Sequence, residues 1–275
     1  MKVTVCELSN EPVGFERDWQ GLVSHVKAEA SDLVLLPEMP FYTWPAWSKQ
    51  KDNNTWKASV EAHDQWMPRL AEFAPAAVVG TRPVIKDSRF FNEGFIWEPA
   101  SGYHSAHVKY YLPNEEGFWE ANWYERGNEE FSLYQVNQIK IGFLICTELW
   151  FNAHARDYAR QGIHLLVCPR ATPGSTVDKW IAGGRTAAVV SGAFSFRDFL
   201  DINDTSFEAQ NRPEVDHVHI AELKLRVNAE DRHTGANHVQ KGIGVLEQSK
   251  ARRRMLFSQT DSFGFERPAK PIEAT

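Results

Sequence analysis

Short apolar runs of strand length alternate along this chain with longer stretches in which apolar residues recur every three or four positions. Val3 and Val5 alternate with polar neighbours and predict a first strand. After a break near Pro12 and Gly14, Trp19, Leu22, Val23 and Val26 share one helical face, predicting an amphipathic helix over roughly 16–30. LVLLP (33–37) is apolar without interruption, the pattern of a strand buried on both faces; Pro37 stops it and Glu38 follows at once. A helical pattern runs over 56–73, with Pro68 set to kink or split it. AAVVG (76–80) is a short buried strand. FFNEGFIWEP (90–99) and YHSAHVKYYLP (103–113) alternate on either side of Pro-Ala-Ser-Gly and predict a hairpin. FSLYQV (131–136) and IKIGFLI (139–145) predict a second, around Asn137-Gln138. A helix over 152–161, a strand over 163–169, a helix over about 177–190 and a strand over 192–196 complete the pattern.

Strands alternating with helices predict an α/β architecture, and the hairpins make its sheets mixed. Beyond Phe196 the strong apolar runs stop. HVHIAELKL (217–225) is a plausible strand there and GIGVLEQ (242–248) a poorer one. ARRRM (251–255) predicts a solvated face, and the last ten residues a loose tail. The expected organisation is a single domain over 1–275 with a divergent C-terminal portion, 197–275.

Composition narrows the field of functions. With 275 residues, 43% hydrophobic, 24% charged and a net charge of -6, the chain has an ordinary globular make-up. The acidic balance argues against a nucleic-acid partner. No apolar stretch reaches 18 residues, so no membrane span is expected, and MKVTVCELSN lacks the apolar core of a signal peptide. Three Cys without a C-x-x-C pair suggest free thiols in a reducing cytoplasm. Ten Trp point to core or pocket wall.

Three residues carry candidate chemistry: Glu38, Lys109 and Cys146. Each comes at or just after the end of an apolar run, and open α/β sheets gather ligands at the carboxyl ends of their strands. Glu38 is the candidate general base for the thiol proton. Cys146 would attack a carbon bearing nitrogen, and Lys109, with the backbone N–H after Cys146, would stabilise the developing negative charge. Each residue also has an ordinary reading: Cys146 as buried packing, Glu38 as a helix-start carboxylate, Lys109 as a strand-end cation on a sheet edge. No G-x-S-x-G elbow, phosphate loop or H-E-x-x-H is present, and Gly242-Ile243-Gly244 does not continue into a dinucleotide fingerprint. His104/His107 and His217/His219 have ligand-like spacing, but such pairs on strands are more often surface or core residues. A Cys-His nucleophile pair also stays open.

LLPEMPF (35–41), HVKYYLPNEEGFWE (107–120) and GFLICTELWF (142–151) resemble the glutamate, lysine and cysteine motifs of the nitrilase superfamily of carbon–nitrogen hydrolases. The order matches too, and the likeness covers roughly 1–196. It implies a four-layer αββα sandwich and a covalent thioester or thioimidate intermediate, with no metal or organic cofactor. It also implies pairing of subunits through the sheet-flanking helices into a homodimer or larger assembly. In this family a second glutamate supports the lysine; Glu120 matches it best and Glu116 is the alternative. Tyr42, Trp44, Trp119, Thr147, Arg170 and Thr172 are candidates for the substrate wall. Glu148 would anchor the cysteine turn, and Trp150 would pack or border the pocket. The expected activity is hydrolysis of a small amide or carbamoyl compound. A nitrile hydrolase using the same residues and a catalytically silent binding scaffold are the alternatives.

Overall fold

The apolar run at 33–37 sits at the middle of the molecule because its two faces feed two different cores. The computed structural model describes residues 1–9, 12–172, 176–197, 199–200 and 221–224. The chain opens with strands β1 (Lys2–Val5) and β2 (Glu7–Leu8), helix α1 (Pro12–Glu29) and strand β3 (Leu33–Leu35). Leu33 and Leu35 turn toward a core shared with a second sheet, whereas Val34 and Leu36 join Trp19, Leu22 and Val26 of α1. This is the period-two alternation of a strand covered on both sides.

Helix α2 (Asn53–Trp66) begins where the Asp52 carboxylate accepts from the N–H groups of Asn54 and Thr55, at 3.0 and 3.2 Å. A tighter helical segment, Met67–Phe73, continues it through Pro68, as the pattern predicted. Strands β4 (Ala77–Lys86), β5 (Arg89–Glu98) and β6 (Gly102–Val108) then form a meander, followed by the one-turn helix α3 (Glu120–Trp123). Strands β7 (Tyr134–Val136) and β8 (Ile139–Phe143) make the second hairpin. Helix α4 (Asn152–Gln161), strand β9 (Leu165–Cys168), helix α5 (Val177–Ser191), and strands β10 (Phe194–Arg197), β11 (Phe199–Leu200) and β12 (Ala221–Lys224) follow.

One sheet has the order β12-β1-β3-β4-β5-β6 and the other β10-β9-β8-β7, with β2 and β11 paired separately. Both large sheets mix parallel and antiparallel neighbours. Helices α1 and α2 pack outside the first sheet and α4 and α5 outside the second, giving the αββα sandwich. Tyr158 fastens α4 to β8: its hydroxyl donates to Phe143 O at 2.9 Å and accepts from Phe143 N at 3.1 Å.

Three local expectations change. The first helix starts at Pro12, so Pro12 and Gly14 lie inside it; proline at the first helical position loses no hydrogen bond the helix would have used. The strand expected over 76–80 runs on to Lys86 and turns at Asp87-Ser88, both at positive φ (50 and 62), into β5. The strand expected over 103–113 ends at Val108, one residue before Lys109. In the C-terminal portion, β12 pairs antiparallel with β1, bringing Ala221 opposite Val5. The weak strand at 242–248, the ARRRM cluster and the terminal tail lie outside the described residues.

Candidate active site

Glu38 follows β3 by three residues, on a turn held from both sides. Met39 adopts a positive φ (45), and its N–H donates to Thr81 Oγ1 at 2.9 Å. Phe41 N–H donates to His63 Nε2 at 3.3 Å, while His63 Nδ1 meets Ser59 O at 2.7 Å. That pattern requires the neutral ring with its proton on Nδ1. Burial accordingly pushes the His63 pKa down to about 3. Glu38 is therefore neither exposed nor at a helix start; it is completely buried.

Lys109 leaves the end of β6, an edge strand, yet it too is completely buried. Its backbone N–H donates to Asn92 O at 2.9 Å. Its ammonium donates to Glu38 Oε1 at 2.8 Å and contacts Glu120 Oε2 at 2.6 Å. Glu120, in the first turn of α3, meets the lysine, whereas Glu116 is exposed. Asn92 Nδ2 donates to the same Glu38 oxygen at 2.8 Å, and Ala171 N–H donates to the other at 3.2 Å. The Tyr124 hydroxyl donates to Glu120 Oε2. Glu120 Oε1 and Asn92 Oδ1 are buried without a hydrogen-bond partner.

Cys146 comes just after β8, where the chain leaves the sheet and enters a short helical turn, Cys146–Trp150. Its backbone sits in the left-handed region (φ 49), sparsely populated by residues with a Cβ and often found at functional turns. The turn is fixed because Cys146 N–H donates to Pro169 O at 3.0 Å, while Glu148 N–H returns to Ile145 O at 3.0 Å.

The charges here are strongly perturbed. Burial opposes the Lys109 ammonium, but Glu120 and Glu38 outweigh it and hold its pKa well above the ordinary value. Burial pushes Glu120 up to about 7; Lys109 works against that rise and Glu38 with it. Burial raises the Cys146 thiol well above its usual range, Glu38 adds to the rise and Lys109 opposes it. The resting thiol is thus protonated, and attack by sulfur requires a base that removes the proton during the step.

The other sequence candidates divide. Thr147 Oγ1 donates to Tyr111 O at 3.0 Å, so its hydroxyl already has an acceptor. Arg170 and Thr172 are buried and bonded to each other, with the guanidinium 5.4 Å from the centre of the Trp180 ring. Tyr42 is half-buried. Trp119 is half-buried with Lys49 Nζ 5.0 Å from its ring centre. Trp44 is buried, and its indole N–H has no partner. Glu148 anchors its turn by accepting from Ile145 N–H at 2.8 Å. Trp150 is 42% exposed and lies against Trp180, ring centres 4.5 Å apart. His104 contacts Ser101, and His107 is taken up by Glu148; His217 and His219 lie outside the described residues. Among the described residues, no His/Cys/Asp/Glu group is placed to hold a metal ion, and no helix is long and apolar enough to cross a membrane.

Asn92 and Tyr124 were not singled out by the sequence pattern. Asn92 had a visible signal, a polar residue within an apolar strand, which must find a partner when buried. Tyr124 had none.

Comparison with known proteins bears on the family and the fold. A family model described as carbon-nitrogen hydrolase matches residues 2–197. The N-carbamoylputrescine amidase of Solanum lycopersicum is 35% identical over 63 residues, 23% of this chain and 21% of that protein. The N-carbamoylputrescine amidase of Arabidopsis thaliana is 31% identical over 71 residues, 26% of this chain and 24% of that protein. The match thus spans only about a fifth to a quarter of these plant proteins. Among solved structures, a carbon-nitrogen hydrolase from Helicobacter pylori superposes with a TM-score of 0.62 at 15% identity, covering 73% of this chain and 74% of that one. A variant of an amidase from Nesterenkonia sp., captured after Michael addition of acrylamide at its active-site cysteine, gives 0.58 at 14% identity, covering 73% and 78%.

Proposed function

The chain belongs to the carbon-nitrogen hydrolase family, and from that premise we propose that it cleaves the C–N bond of a small amide or carbamoyl compound through a thioester on Cys146. The observation that carries this reading is the fully buried Glu38–Lys109–Glu120 ion cluster, whose charges act on the Cys146 thiol.

In this reading the Cys146 sulfur adds to the carbonyl carbon as its proton passes to Glu38. The negative charge on the carbonyl oxygen is met by Lys109 and the Thr147 N–H. Collapse breaks the C–N bond; Glu38 returns the proton to the departing nitrogen, which leaves as ammonia or an amine. Water then adds to the thioester with Glu38 again as base, and the carboxylic or carbamic acid departs as the thiol is reprotonated. Asn92 Nδ2 and Ala171 N–H hold Glu38 in place. Glu120 Oε1 is buried and unpartnered; in this reading it would accept an N–H of the substrate, which an amide or carbamoyl compound carries and a nitrile nitrogen does not. The protein would act on a small molecule, and the family likeness suggests a homodimer or larger assembly.

Ammonia release over a panel of amides, carbamoyl compounds and nitriles, with mass spectrometry of the intact protein, tests this. An acyl mass on Cys146 and loss of release in Cys146→Ala are expected. Release by Cys146→Ala at the parent's rate would remove Cys146 as nucleophile.

A further inference from the structure

We propose that Glu148 and His107 form a positioning pair that sets the separation between Cys146 and Lys109; this rests on the roles given to those two residues above. The groups that must meet at the substrate come from different sheets, Lys109 after β6 and Cys146 after β8. What joins the inner faces of the sheets is mainly apolar: Val3, Val5, Leu33, Leu35 and Val79 share a core with Ile141, Phe143 and Leu166. Burial of that kind is non-directional and does not by itself fix one sheet's position along the other. Hydrogen bonds to a carboxylate are directional and strong.

Glu148 supplies them. It is completely buried, and its two oxygens receive three donors. Oε1 accepts from the N–H of Tyr110, next to Lys109, at 2.7 Å. Oε2 accepts from the N–H of Ile145, next to Cys146, at 2.8 Å. His107, two residues before Lys109, brings Nε2 to 2.9 Å from Oε2 and 3.1 Å from Oε1. One carboxylate therefore grips the backbone beside each of the two residues that act on the substrate. Nδ1 of His107 faces Glu130 O at 3.2 Å. Both ring nitrogens thus lie against oxygen acceptors. The Thr147 hydroxyl on Tyr111 O adds a second tie across the same gap. With its oxygens so engaged, Glu148 is not available as the base, although it lies only two residues from the thiol.

The test pairs Glu148→Gln with Glu148→Asp and His107→Leu in the full chain. The glutamine amide keeps one acceptor oxygen and turns its NH2 toward the other backbone N–H, breaking one side of the grip while keeping the shape. Expected for Glu148→Gln is a kcat for ammonia release lower by about 100-fold with KM within about threefold, as for reacting groups displaced by roughly 1 Å. Glu148→Asp should recover part of that loss, and His107→Leu should show the same split at smaller size. A purely structural role would lower the thermal midpoint without this split or the recovery. The rate at which iodoacetamide alkylates Cys146 needs no substrate and should fall in Glu148→Gln while the parent reacts. A folded Glu148→Gln with parental kcat and alkylation rate overturns the proposal. If Glu148→Gln does not fold, a folded His107→Leu with parental values in both measurements overturns it. A parent that releases ammonia from no compound defeats the proposed function instead, and the alkylation rates still decide the positioning role.

Discussion

Replacing Lys109 with methionine removes the cation that lies between two buried carboxylates. Lys109, Glu38 and Glu120 have no exposed side-chain surface, and the ammonium lies 2.8 and 2.6 Å from the two acids. Methionine nearly matches lysine in length and is apolar, so the loss is electrostatic rather than a cavity. After the change Glu38 keeps two donors, Asn92 Nδ2 and Ala171 N–H, while Glu120 keeps only the Tyr124 hydroxyl. Breaking a buried ion pair from one side costs about 3–5 kcal/mol. At roughly 2–4 °C per kcal/mol for a domain of this size, the thermal midpoint near pH 8 should fall by about 6–20 °C. The deficit should depend on pH in a defined direction. Burial already raises Glu120 to about 7, and removing Lys109, which works against that rise, lifts it further. A carboxyl whose folded-state pKa is raised binds its proton more tightly in the native chain than in the unfolded one. Its stabilising contribution is present at low pH and disappears as pH climbs through the folded value. The deficit of Lys109→Met should therefore shrink between about pH 8 and pH 5.5, followed by circular dichroism melts of both proteins. A difference below about 1 kcal/mol, or one that stays constant with pH, would refute the buried cluster.

Other consequences are more local. Asn92→Leu takes a donor from the Glu38 carboxylate at 2.8 Å and should lower stability by about 1.5–3 kcal/mol, read from urea unfolding; no change would mean that Asn92 does not hold the carboxylate. Gly142→Ala would bring its Cβ to 2.9 Å from the Tyr158 ring and from Ile163 Cδ1, in a packed layer between β8 and α4. About 1–3 kcal/mol of destabilisation should appear in thermal melts, and a parental midpoint would mean the layer is looser than this contact.

Much of this protein is legible in the order of its residues, because the information is local. The uninterrupted LVLL run, stopped by Pro37, reads as a strand covered on both faces, and its side chains do alternate between two cores. Pro68 divides a helix where proline must. Of the three chemical residues read at the ends of apolar runs, Glu38 and Lys109 are in contact, and Glu120, matched to the family's second glutamate, joins them. Tertiary structure decided the rest. An edge strand such as β6 ordinarily ends in solvent, and a lysine there reads as an exposed cation; only α3 folding over it and Glu38 arriving from 71 positions away make Lys109 a buried ion. The same holds for Glu148, whose partners at Tyr110 and His107 lie 38 and 41 positions back along the chain. Periodicity tells which face a side chain occupies, but not which distant group waits on that face. For a buried charge, the identity of that group determines whether it is a cost or a working part of a site.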